Sequence, residues 1–379
     1  MGERHGGQIL VDQLRIQGVE RVFCIPGESY LAALDGLFDS GIQTIVCRQE
    51  GGAAMMADAH GKLTGRPGIA FVTRGPGATN ASAGVHIAMQ DSTPMILFVG
   101  QVASDQRDRE AFQEVDYRHM FGPLAKWVAE IELTERIPEY VSHAFHVAQT
   151  GRPGPIVLAL PEDMLSATAD VADALPASLP SGLGSEADLA VVLERLRQAE
   201  RPFIIAGGGG WSAEAAAALG VLGEKASVPV GTSFRCQDYV DNRLDCYAGD
   251  VGIAVNPKLA QRVKDADLLL VLGARLGEIT SSTYSLVDIP VPRQELIHVY
   301  PGPDELGRVY RPSLAVAASP AAFVQQLAEA AGPPSSSRDA LVARARAEYQ
   351  EWQEPHETPG DIKMEQVILH LSETLPDDA

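Results

Sequence analysis

Short apolar runs return along this chain at intervals filled by helical patterns, and no other feature restricts the fold as much. "RVFCI", "TIVCR", "GIAFVT", "MILFVG" and "GPIVLAL" fall between residue 8 and about residue 165. They are too short for helices and nearly unbroken in hydrophobicity, which predicts strands buried on both faces. Between them lie "LAALDGLFDS", a helix opening at Glu50, and "NASAGVHIAMQ". Strand and helix in alternation predict a parallel sheet covered on both sides. A second set follows in "PFIIAGGGG", "VPVGTS", "ADLLLVLGA" and "ELIHVYPG", with helices over Glu186 to Gln198 and Pro320 to Ala330. The fold class is therefore α/β: two doubly wound parallel-sheet domains followed by a C-terminal helical tail.

Breaks in the rhythm suggest the division. "PASLPSGLGSEAD" (176–188) is rich in Pro, Ser and Gly without periodicity, and "GPPSSS" (332–337) is a second such stretch. The expected units are 1–175, a linker at 176–188, a central domain over 189–331, and a tail over 332–379. The tail reads as a charged helix from Arg338 to about Gln353, then "EPHETPG", then a last helical stretch ending the chain. A length of 379 residues agrees with more than one core.

The net charge of −20 opposes nucleic acid and anionic membrane surfaces. No segment approaches the ~18 unbroken apolar residues of a membrane span, and the N-terminus lacks an apolar signal region. Cys24, Cys47, Cys236 and Cys246 show no metal-type or paired spacing. A reduced, cytoplasmic protein acting on small molecules is the expectation, with no metal site of its own.

Three strands of the first domain end in glycine-rich turns: "FCIPGES" (23–29), "CRQEGG" (47–52) and "TRGPGATN" (73–80). Ligands of open α/β sheets bind at the carboxyl ends of strands, where turn amides and helix N-termini face a crevice. The Glu50 helix begins with two glycines and is rich in alanine, although glycine in a helix costs up to ~1 kcal/mol relative to alanine. Close approach by another backbone or a ligand accounts for that choice. For Glu50 itself two readings stand open: a charge complementing the helix dipole, worth ~0.3 to 1 kcal/mol, or a functional carboxylate.

In order and spacing, "IPG", "RQEGGAAMMADAHGKLTG", "TRGPGATN", "MQDSTPMILFVGQV" and "AFQEVD" resemble the pyrimidine-binding domain of thiamine diphosphate enzymes, in particular the acetolactate synthase-like group. The second α/β unit is similar to the central domain of that family. The resemblance implies that Glu50 hydrogen-bonds the pyrimidine ring nitrogen and shares a proton with it. That favours the imino tautomer, which takes the C2 proton of the thiazolium. It also implies that Pro26, Gly27, Thr73, Pro76, Asn80 and Gln113 surround the pyrimidine. Gln101, Phe112 and Lys126 match positions facing the substrate or its entrance, although a strand-end cap, a core ring and a surface charge are the plainer readings. Glu28 stands where acetolactate synthases usually have glycine and pyruvate decarboxylases an acid, yet residues 102–118 lack the decarboxylases' histidines. The substrate class implied is a small 2-oxo acid, its identity open.

In flavin-containing relatives the central domain holds FAD. Here "GAR" (273–275) is kept, but "LGEITS" follows it and "AGDVGIAVNP" stands where relatives carry a Gly-Met-His-Gly type segment, which counts against FAD. The "AGGGGWSAEA" turn (206–215) is a weak dinucleotide fingerprint, since no acidic residue ends a second strand about 20 residues on. The family's third domain binds the diphosphate through Mg²⁺ with a Gly-Asp-Gly motif and a later Asn-Asn. In this chain Gly249-Asp250 continues Val-Gly, Gly360-Asp361 continues Ile-Lys, and there is no Asn-Asn. The resemblance thus implies two-thirds of an enzyme, whether a truncated gene, a cut chain or half of a split enzyme, with a homodimer or tetramer and a separate chain carrying the diphosphate-binding domain as partners. The alternatives are a non-catalytic dimerising or regulatory fragment, and a flavin or nicotinamide oxidoreductase.

Overall fold

A computed structural model describes residues 2–180, 182–332 and 338–376, so most of the expected 332–337 linker lies outside the described residues. The first sheet contains β1 (Arg21–Cys24), β2 (Gln43–Val46), β3 (Gly68–Val72), β4 (Met95–Gln101), β5 (Trp127–Glu130) and β6 (Pro155–Pro161). Its order is β2-β1-β3-β4-β6-β5, every pairing parallel. The second sheet contains β7 (Pro202–Ala206), β8 (Val230–Ser233), β9 (Tyr247–Val251), β10 (Leu268–Leu272), β11 (Glu295–Tyr300) and β12 (Leu314–Ala317). Its order is β9-β8-β7-β10-β11-β12, again all parallel. The expected pair of doubly wound α/β units is what the chain forms.

Each sheet is packed on both faces, which is why its central strands read as continuous apolar runs. Along β4, Ile96 and Phe98 join the core that includes Ile9, Leu10 and Leu14, whereas Met95, Leu97 and Val99 join the opposite core with Ala53, Ala57 and Val85. That second face is built from small residues because two helices approach closely, α3 (Glu50–Thr64) and α4 (Pro76–Asp91), numbered after α1 (Gly6–Ile16) and α2 (Leu31–Phe38). A methyl group at Gly84 would come within 2.5 Å of Ala54 Cβ, and one at Gly68 within 1.9 Å of the Ala57 carbonyl oxygen. Close helix packing thus explains most of the alanine and glycine around α3. The exception is its N-terminus.

The helix expected to open near Asn80 begins at Pro76. Proline suits a first helical position, having a fixed φ and no N–H to satisfy. Gly75 before it turns the chain at φ +58°, a conformation few side chains allow. In the tail, the helix Asp339–Trp352 packs Tyr349 edge-on against Tyr247 at 5.0 Å. The preceding Arg338 is buried and donates to the carbonyls of Leu196 (2.8 Å) and Ala199 (2.7 Å). The last helix, Met364–Thr374, buries none of its residues. Among the described residues no helix is long and apolar enough to cross a membrane.

Candidate active site at the carboxyl ends of the first sheet

In the first sheet the order of strands reverses direction at β1, whose successor β2 lies on one side and β3 on the other. Such switch points open a crevice at the carboxyl ends of the strands. The three turns singled out in the sequence meet there. Ser29 Oγ lies 2.8 Å from Thr73 Oγ1 and accepts the Arg74 amide at 3.2 Å, which ties the β1 turn to the β3 turn. A methyl group at Gly27 would stand 2.5 Å from Thr73 Cβ. The buried Tyr117 accepts the Gly75 amide at 2.9 Å, and burial pushes its phenol up to about 12, so it stays protonated. Gln113, itself at φ +65°, packs over Gly75, where a methyl group would meet Gln113 Cβ at 2.7 Å.

Glu50 is the first residue of α3 and half-buried. Its neighbour Gln49 caps that helix, the Gly52 amide donating to Gln49 Oε1 at 2.9 Å. Capping therefore does not fall to Glu50, whose carboxylate turns toward α4. Asn80 Nδ2 donates to Glu50 Oε2 at 2.9 Å. The other oxygen faces the backbone of Gly77, where a methyl group would stand 3.6 Å from Oε1. The half-buried carboxylate, held by the Asn80 amide at the carboxyl end of a parallel sheet, is placed to accept a hydrogen bond from a ligand or share a proton with it. Pro26 and Pro76 lie exposed at the mouth of the same crevice.

The four positions proposed to face substrate are arranged differently from one another. Phe112 is 72% exposed on the loop that carries Gln113. Glu28 is paired with Arg74 at 3.2 Å. Gln101 is buried with both ends on backbone, donating to the Val115 carbonyl at 2.9 Å and accepting the Val102 amide at 3.0 Å. Lys126 points to the end of the helix Ile137–Gln149, where it donates to the carbonyls of Val147 and Thr150, the latter at 2.8 Å. Burial pushes its ammonium down to about 8. The surface charge expected of Lys126 is thus an internal tie, since its ammonium sits where unpaired carbonyls are concentrated. Arg74, Tyr117, Ser29 and Glu162 belong to this cluster and were not singled out in the sequence; "TRG" after a strand offered a signal for Arg74 alone.

The two sheets flank a cleft of about 1080 Å³, bordered by the Gly208–Gly210 turn, Arg275, and the Ser92–Pro94 segment of the first domain. Arg235 reaches Asp91 across it at 3.2 Å. The glycines of the turn have reasons within the protein: methyl groups at Gly207, Gly208 and Gly209 would stand 1.9 Å from Ser233 Oγ, 2.0 Å from the Gly273 carbonyl oxygen and 2.8 Å from the Ser92 carbonyl oxygen. Trp211 donates to the Gly207 carbonyl at 2.9 Å and Tyr239 to the Gly208 carbonyl at 2.6 Å. Packing therefore accounts for Gly207, Gly208 and Gly209. Among the described residues no group of three or more His, Cys, Asp or Glu side chains is placed to hold a metal ion.

Comparison with known proteins identifies the family of both sheets. Residues 4–120 match the N-terminal TPP binding domain of thiamine pyrophosphate enzymes, and residues 189–327 match their central domain. The chain belongs to the thiamine diphosphate-dependent, acetolactate synthase-like family. It is similar to the acetolactate synthase isozyme 2 large subunit of Escherichia coli (strain K12), 29% identical over 377 residues, which cover 99% of this chain and 67% of that protein. The probable acetolactate synthase large subunit of Methanocaldococcus jannaschii is 30% identical over 318 residues, 82% of this chain and 53% of the relative. The acetolactate synthase of Bacillus subtilis is 32% identical over 274 residues, 72% of this chain and 48% of the relative. The chain thus spans about half to two-thirds of the length of these family members. Within the family frame, the β1–β3 crevice lies inside the matched TPP binding region.

Proposed function

We propose that this chain supplies the pyrimidine half of a thiamine diphosphate site, in a carboligase or decarboxylase of small 2-oxo acids, with transferase or lyase chemistry. Its units under this reading are the pyrimidine-binding domain over 1–175, the 176–188 linker, the central domain over 189–331 and a tail over 332–379. The observation that carries the proposal is the Glu50 carboxylate, which is relieved of capping by Gln49 and turned to Asn80 and the Gly77 backbone. When bound, thiamine diphosphate supplies an acidic C2 carbon that adds to the carbonyl of a 2-oxo acid. Glu50 holds or shares the proton at the pyrimidine ring nitrogen, and Asn80 fixes the orientation of its carboxylate. Pro26, Gly27, Thr73, Pro76 and Gln113 bound the ring and exclude water from it.

Of the substrate candidates, the proposal keeps Phe112, whose ring is free at the mouth. Gln101 and Lys126 have their polar groups engaged by the protein, and Glu28, its side chain 67% exposed, is paired with Arg74 through one oxygen. The diphosphate and its Mg²⁺ are assigned to a domain or separate polypeptide beyond this chain, a self-associated dimer completes the assembly, and a cytoplasmic setting suits its chemistry. FAD is not part of the proposal. The test is complementation. Carbon dioxide release from pyruvate should be absent with this chain, thiamine diphosphate and Mg²⁺, and should appear when a polypeptide bearing the diphosphate-binding domain is added. Turnover by the chain alone would overturn the division of labour, and silence in every combination would favour the non-catalytic reading.

A further inference from the structure

An arginine at the carboxyl end of this sheet is the obvious receptor for the carboxylate of a 2-oxo acid, but Arg74 is committed elsewhere. It is 9% exposed. Its Nη1 pairs with Glu162 and its Nη2 with Glu28 Oε1 at 3.2 Å, so two carboxylates already answer its one charge. Its remaining direction, Nε, donates to the Phe112 carbonyl at 3.0 Å. Four segments therefore converge on one guanidinium: the β1 turn, the β3 turn, the residue after β6, and the 104–116 loop.

That loop needs holding. Asp108, Glu110 and Gln113 have φ values of +58°, +53° and +65°, a region costly for residues with side chains. Its ends are fixed by Asp163, which accepts the Ser104 amide at 3.1 Å, and by the Gln101–Val115 bond. Arg107 pairs with the buried Glu130. Near Phe112 and Gln113 the described tie to the sheet is Arg74. A planar fork with donors on three sides is suited to joining carboxylates and a carbonyl at once, whereas lysine is not.

We propose that Arg74 is a positioning residue that holds the 104–116 loop over the Gly75 turn through the Phe112 carbonyl, and that Glu28 acts by orienting this arginine rather than by touching substrate. The inference rests on the thiamine diphosphate reading only in that the loop carries Gln113 to the site. Its test needs no cofactor. Amide hydrogen exchange is followed by mass spectrometry on the full chain, comparing Arg74→Gln, Arg74→Lys and Glu28→Gln with the parent. Exchange in 106–114 should rise by roughly tenfold or more in Arg74→Gln, the loss of a charge-assisted hydrogen bond. Arg74→Lys restores the charge between the carboxylates and should recover thermal stability, yet its loop should exchange as fast as in Arg74→Gln. Glu28→Gln should give a smaller rise in the same segment.

A purely structural role for the buried charge makes the opposite forecast, with Arg74→Lys restoring the loop as well as the fold. Unchanged loop exchange in Arg74→Lys overturns the positioning role, even if Arg74→Gln fails to fold, and an unchanged loop in Glu28→Gln overturns its part. Failure of thiamine diphosphate to bind the complemented assembly would count against the proposed function and leave these exchange rates as they are.

Discussion

Replacing Glu50 with glutamine keeps shape and removes the titratable proton. Because Gln49 caps α3, the helix end survives the change. The Asn80 amide, 2.9 Å from Oε2, can still donate to a glutamine oxygen. A bond to a charged acceptor is worth ~1.5–3 kcal/mol and a neutral one ~0.5–1.5, so the loss is about 1 kcal/mol before solvent at this half-exposed site weakens it further. For a protein of this size that lowers the melting temperature by about 2 °C or less. Loss of a general acid or base slows the step it serves by ~10²- to 10⁴-fold, equivalent to about 3–5 kcal/mol of barrier. Chemistry should therefore suffer far more than stability. The assay is exchange of the thiazolium C2 proton for deuterium, measured by NMR in the complemented assembly, beside a thermal melt. Full-rate exchange in Glu50→Gln together with a clearly lower melting temperature would refute the argument and return Glu50 to the role of a helix-end charge.

Two further outcomes follow from the same packing. Val46, Met55 and Met56 are 62%, 45% and 41% exposed on β2 and the first half of α3, near the site, so the chain should sediment as a dimer or larger at micromolar concentration, and a monomer would count against this face as an interface. Burial pushes the Asp250 carboxyl up from 3.8 to about 6, and its Oδ1 has no hydrogen-bond partner among the described residues. Between these two values the folded chain keeps a proton that the unfolded chain has released, so this group makes stability fall as pH rises from about 4 to 6. Asp250→Asn should remove that slope and, after discounting for partial exposure, stabilise the fold at neutral pH by about 1 kcal/mol. Parallel pH profiles of unfolding for the two proteins would show the assignment to be wrong.

The strands legible in the sequence were the ones the sheets bury. β3, β4, β6, β7 and β10 lie inside their sheets and are buried at every residue. The strands that escaped, β5, β9 and β12, are all at sheet edges. β5 and β12 are only partly buried, and β9 carries Gly249 and Asp250 in its middle. An edge strand needs a partner on one side only and tolerates polar or small residues, so its hydrophobic signal is diluted. Edge strand β2 was found, but slightly displaced, as Thr44 to Arg48 rather than Gln43–Val46. The α4 start was misread for a related reason: "GPG" has the composition of a turn, and only the Gly75 geometry shows that its proline opens the helix.

Within the site, what a side chain must do about water decided what could be read. The place of Glu50 was readable because local chain direction sets it, one strand end and one helix start, whereas a role for it came only from the family resemblance. Arg74 was not, since its partners at residues 28, 112 and 162 are distant along the chain and meet only when the sheet forms. Lys126 shows the same limit from the other side. Once β5 and the helix Ile137–Gln149 enclose its stem, an ammonium without partners would be costly, and the nearest unpaired acceptors are the carbonyls that end that helix. The lysine goes to them instead of the loop mouth. A charged residue in a glycine-rich α/β protein thus becomes available to a ligand where the fold leaves its charge unanswered, and Glu50, held by the neutral Asn80 amide, meets that condition.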